Sequence, residues 1–87
     1  MLRLDLASTD ELAGHQATDD MFLQLGKMYA SGRSVAMDLV AAHKWFNLAA
    51  HRGNREAMES RREITAEMTA AEVASAQRLA REWLAAH

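Results

Sequence analysis

LGKMYASGRSVAMDLVAAHKWFNLAAHRG, residues 25–53, is the stretch that decides how this chain folds. Leu25, Met28 and Tyr29 recur at i, i+3 and i+4, and Ala42, Trp45, Phe46, Ala49 and Ala50 at i, i+3, i+4, i+7 and i+8. Two successive segments therefore each present one apolar stripe at helical spacing. Ser31-Gly32-Arg33-Ser34 breaks the pattern between them, which makes the pair a helical hairpin. Asp38 stands where its carboxylate accepts from the free backbone N–H groups that open the second helix. Gly53 closes that helix, because a glycine past the last turn takes the left-handed conformation without a Cβ penalty. Gly26, inside the first stripe, costs about 1 kcal/mol of helix propensity against alanine, and a close approach of the neighbouring helix is the simplest compensation.

These residues resemble the Sel-one-like repeat family, relatives of the tetratricopeptide repeats. The family pattern of Leu-Gly, Tyr, a glycine turn with Val, then Asp, Ala, Trp-Phe, Ala-Ala and Gly corresponds to Leu25-Gly26, Tyr29, Gly32 with Val35, Asp38, Ala42, Trp45-Phe46, Ala49-Ala50 and Gly53. Ser34 departs from it, standing where the family has a second glycine. The resemblance covers about a third of the chain and implies an all-α fold of two stacked antiparallel hairpins, a short α-solenoid.

Working outward, Asp19 or Asp20 starts the first helix, which runs to about Ala30 and turns Met21, Leu25, Met28 and Tyr29 inward. After Gly53 a helix restarts at Asn54-Arg55-Glu56-Ala57, and a worn internal repeat appears. A shift of 36 places Met21 on Ala57 and Met28 on Ile64, while a shift of 38 places Val35 on Val73, Ala42 on Ala80, Trp45 on Trp83 and Phe46 on Leu84. The expected division is an acidic arm over residues 1–18, a full repeat over about 19–53 and a degenerate one over about 54–87. In the worn copy Leu25-Gly26 becomes Arg61-Arg62, so packing is expected to be looser there, with Met58, Ile64 and Met68 as the remaining stripe. Thr69 and Glu72 form a capping box, and Val73, Ala76, Leu79, Ala80, Trp83 and Leu84 share one face of the fourth helix. The expected core is Leu25, Gly26, Tyr29, Ala42, Trp45, Phe46, Ala49, Leu79 and Trp83, centred on Trp45, Phe46 and Trp83.

Eighty-seven residues make one domain at most, with 49% apolar and 25% charged residues and no proline or cysteine. The missing cysteines exclude disulfides and thiolate sites. The apolar runs are too short for a spanning helix or a signal-peptide core, so no membrane insertion and a cytoplasmic location are expected. Residues 1–20 carry Asp5, Asp10, Glu11, Asp19 and Asp20 against Arg3 alone, so most of the acidity precedes a mildly basic body in a chain of net charge −2. Within the arm, Leu2, Leu4 and Leu6 alternate with Arg3 and Asp5. Two readings stay open, a frayed terminus or an extended arm whose leucines dock on the helices or on a second copy, which keeps homo-oligomerisation an option.

Little in the chain speaks for catalysis, since no nucleophile is paired with an oriented base and no cofactor signature occurs. His43 and His51 lie eight residues apart on one helix, too far to share a metal, and read as solvated surface histidines. Glu56, Glu59, Glu63 and Glu67, interleaved with Arg55, Arg61 and Arg62, read as a salt-bridged exposed face. The arginines alternatively form a small basic patch, but a pI near 6.0 and the lack of interleaved exposed aromatics speak against nucleic acid. The six methionines fill core gaps or, alternatively, furnish an adaptable binding surface.

The resemblance implies a protein-interaction module, a small scaffold or adaptor with a protein partner; the competing reading is a stably bound accessory subunit that caps a larger assembly. In tetratricopeptide-like arrays the helix before each hairpin turn lines the inner face, which by resemblance points to Phe22, Lys27, Arg55, Glu59 and Arg62 as partner-binding residues.

Overall fold

A computed structural model describes residues 19–87, with side chains from Met21 onward. The acidic arm, with Leu2, Leu4 and Leu6, lies outside the described residues. The described chain is all-α, as expected, with four helices: α1 (Asp19–Ser31), α2 (Leu39–His51), α3 (Arg55–Thr65) and α4 (Ala70–Ala86).

Local chemistry sets each boundary. Gly32 leaves α1 with φ 72°, and its N–H and that of Arg33 both donate to the Met28 carbonyl, at 2.9 and 3.1 Å. Ser34 takes φ 69°, so this position is left-handed although it carries a side chain, a conformation that costs on the order of 1 kcal/mol or more without glycine. Val35, buried at the turn, anchors the loop to the core. Asp38 caps α2 by accepting from the Ala41 N–H at 3.1 Å. At the other end, Gly53 (φ 93°) donates to Ala50 and Asn54 donates to Ala49, the crossed pair of bonds that satisfies the last carbonyls of a helix ended by glycine. Asn54 at once caps α3 through the Ala57 N–H, at 2.8 Å. The Thr69–Glu72 capping box opens α4 with reciprocal bonds of 3.1 and 2.8 Å.

Helix α2 is the centre of the fold, since α1, α3 and α4 all pack against it. The first hairpin closes through Gly26, where an added Cβ would collide with the Phe46 ring, so the glycine is what lets α1 and α2 meet. Phe22, Trp45 and Trp83 join α1, α2 and α4 in one aromatic cluster: Phe22 and Trp45 stack at 5.9 Å, and Trp83 meets both edge-on at 5.2 and 6.1 Å. Such pairs each contribute about 0.5–1.5 kcal/mol beyond the area they bury. Leu25, Tyr29, Ala42, Phe46 and Ala49 are buried with them. The second pair of helices packs differently from the first. Although a four-residue turn joins them, α3 and α4 barely touch, and α4 instead lies on α2.

That arrangement corrects several expectations. Leu79 is only half-buried and outside the core cluster, and Leu84 is 42% exposed although it was aligned with the buried Phe46. The cause is geometric: with α2 as its main neighbour, α4 covers only the narrow stripe Ala76, Ala80 and Trp83. Met58, expected in the inward stripe of α3, is 37% exposed, while Ile64 is buried and Met68 partly so. Conversely Leu23 and Leu48 belong to the core.

Candidate interaction surface

The five residues named as partner-binding do not form one site. Phe22 is 1% exposed and at the heart of the aromatic cluster, so it serves packing and presents nothing to a partner. Its stripe position was misjudged because α4, arriving from the far end of the chain, covers it through Trp83. Lys27, by contrast, reaches across from α1 to α3, its Nζ 2.7 Å from Glu56 Oε2. Arg62 pairs with Glu59 at 3.6 Å along α3, both well exposed, and Arg55 is exposed near the start of the same helix. Exposed pairs of this kind contribute about 0–1 kcal/mol, so they shape a surface more than they hold the fold.

Between α1 and α3 lies a cavity of about 300 Å³ that includes Lys27. Phe46, Ile64 and Ala30 supply its apolar lining, and Lys27, Arg33 and Glu63 its charged groups, so one apolar group and both signs of charge find partners there. Arg33 and Ser60 carried no sequence signal for this role. Arg33 sits in the turn, and the rows of charge on α3 gave no indication which side α1 would cover.

On α2, His43 is the one buried polar side chain among the described residues, 3% exposed, rather than the solvated histidine expected. Three helices pack against α2, and His43 falls on a covered side of it, whereas His51 on the same helix is exposed. The His43 Nδ1 has no hydrogen-bond partner. Burial, reinforced by the Arg61 guanidinium and partly offset by the residue's own backbone, lowers its pKa below the ordinary 6.5. Arg61 itself donates to Asn47 Oδ1, tying α3 to α2. Because the folded state binds the proton less readily than the unfolded chain, stability is complete above about pH 6.5 and falls as the pH drops from there toward the lowered folded value. One proton sets the slope in that window at no more than about 1.4 kcal/mol per pH unit. His43→Leu is expected to remove this slope and to be as stable as the parent at pH 7, since it deletes an unsatisfied buried nitrogen. Chemical denaturation at pH 7 and pH 5 checks it; equal acid sensitivity of the two proteins would place the effect elsewhere.

Two further cations lie over the aromatic cluster, Arg52 above Phe22 at 5.0 Å and Lys44 above Trp45 at 4.3 Å. Among the described residues no three His, Asp or Glu side chains are placed to hold a metal ion, and no helix is long and apolar enough to cross a membrane. No family model matches the chain, and no curated protein or solved structure does either.

Proposed function

We propose that this chain is a protein–protein interaction module, a small cytoplasmic scaffold or adaptor built as a Sel-one-like helical repeat, that receives its partner on the face shared by α1 and α3. The observation that carries this reading is the groove itself: an apolar floor of Phe46, Ile64 and Ala30 flanked by Lys27, Arg33 and Glu63. The groups around it are exposed arginines, lysines and glutamates without the paired nucleophile and base that covalent chemistry needs. A surface of that composition suits recognition of a polar, partly apolar protein segment.

Reversing the charge at Lys27, Arg55 and Arg62 together is expected to weaken capture of the natural partner by about tenfold or more, while leaving helix content and melting within a few degrees of the parent, because the ion pairs removed are exposed. Unchanged capture of every partner would rule out this face. Size-exclusion chromatography of the native complex separates the competing role: a permanent stoichiometric assembly marks an accessory subunit, and salt-sensitive exchange among partners marks an adaptor.

A further inference from the structure

The open angle between α3 and α4 leaves one side of α2 uncovered, and a cavity of about 380 Å³ lies there. Asn47, Leu48 and His51 supply its α2 side, and Gln77, Arg81 and Leu84 come from one stripe of α4. Asn47 also accepts from Arg61 of α3, which puts a second guanidinium beside the same opening. No carboxylate lines the cavity. None occurs three or four residues from Arg61 or Arg81 on their own helices, the positions from which a helical neighbour reaches. Arg81 has no ion-pair partner among the described residues. Leu84, one of three large apolar side chains exposed among the described residues, stands in the α4 wall of the cavity.

We propose that the angle between α3 and α4 docks an acidic, leucine-bearing segment of a partner protein. Its carboxylates meet Arg81 and the neighbouring Arg61, and an apolar side chain seats against the exposed Leu84. Charge complementarity argues for this occupant: Arg81 lines the opening and Arg61 is bonded to its Asn47 wall, neither with a local acid, and amide and imidazole groups from Asn47, Gln77 and His51 supply further polar contacts. A phosphate backbone fits less well, because the whole chain carries net −2 and the exposed Leu84 has no role on a polyanion. This site is separate from the α1–α3 groove, so either can fail without the other.

The test is to pan a random dodecapeptide library against the full chain and titrate the enriched peptide into isotope-labelled full chain. Expected are sequences rich in Asp or Glu with Leu or Met, amide shifts at His51, Gln77, Arg81 and Leu84, and about tenfold or greater weakening in both Arg81→Glu and Leu84→Ser, whose side chains are exposed and leave the fold intact. Shifts confined to the α1–α3 groove, enrichment of sequences without acids, or no enrichment at all would overturn it. So would tighter binding of an oligonucleotide than of any peptide at the same residues. Enrichment that appears only after Asp5, Asp10 and Glu11 are neutralised would make the chain's own N-terminal segment the occupant and overturn an external one.

Discussion

Trp45→Ala is expected to leave the chain unfolded or molten at room temperature. Trp45 is 1% exposed and makes ring contacts with both Phe22 of α1 and Trp83 of α4, so its removal opens a void where three helices meet. Truncating a buried aromatic costs about 3–5 kcal/mol. A single core in a domain of this size rarely supplies more than about 3–5 kcal/mol, so the loss consumes most of the stability. Far-UV circular dichroism with a thermal melt reads it directly, and near-UV signal distinguishes a molten state from a folded one. A melt within a few degrees of the parent would mean that the cluster does not hold the fold.

Gly26→Ala should destabilise by about 2 kcal/mol, against the usual sign for alanine in a helix. The substitution gains about 1 kcal/mol of helix propensity but places a Cβ into the Phe46 ring, and overpacking of a filled core costs about 1–3 kcal/mol or occasionally more. Phe46 is 2% exposed and packed in the core, so a displaced ring disturbs its neighbours and the upper end of that range applies. In a Phe46→Leu background the same change should cost little or even stabilise, because the clash partner is gone. A double-mutant cycle measured by denaturant unfolding gives the coupling; an uncoupled result would show that the helices separate to admit the methyl.

What the sequence disclosed and what it hid divide along one physical line. Features decided within a turn or two of chain were legible: Asp38 and the Thr69–Glu72 box as caps, Gly53 as a helix end, and Gly26 as a point of close approach. Trp45, Phe46 and Trp83 were legible as core because large aromatics on a helical stripe have few other places to go. What depended on how many neighbours a helix acquires was not. Spacing gives each helix one inward stripe, yet α2 is covered on three sides, which buries His43 and Leu48 that the stripe left out. The same spacing gave α4 too broad a face, so Leu79 was counted as core and Leu84 set on the same face, when only α2 stands against most of that helix. Phe22 reversed roles for the same reason: it stacks on Trp45 of its own hairpin, and α4 covers it further through Trp83. The Lys27–Glu56 contact was beyond reach because exposed pairs between helices follow from packing angle, which no local pattern encodes.

The central place of α2 also bears on how fast this protein reaches its fold. The helix that all others contact is second in chain order, so α1 and α3 find it across short turns and only α4 must close over the length of one intervening helix. Nothing requires the two extremes of the described chain to pair before the rest is stable. Topologies with such short sequence separation between contacts collapse in roughly microseconds to milliseconds, and closing a flexible loop of tens of residues adds only a slowly growing entropic cost. With no proline in the chain, cis–trans isomerisation at proline contributes no slow phase.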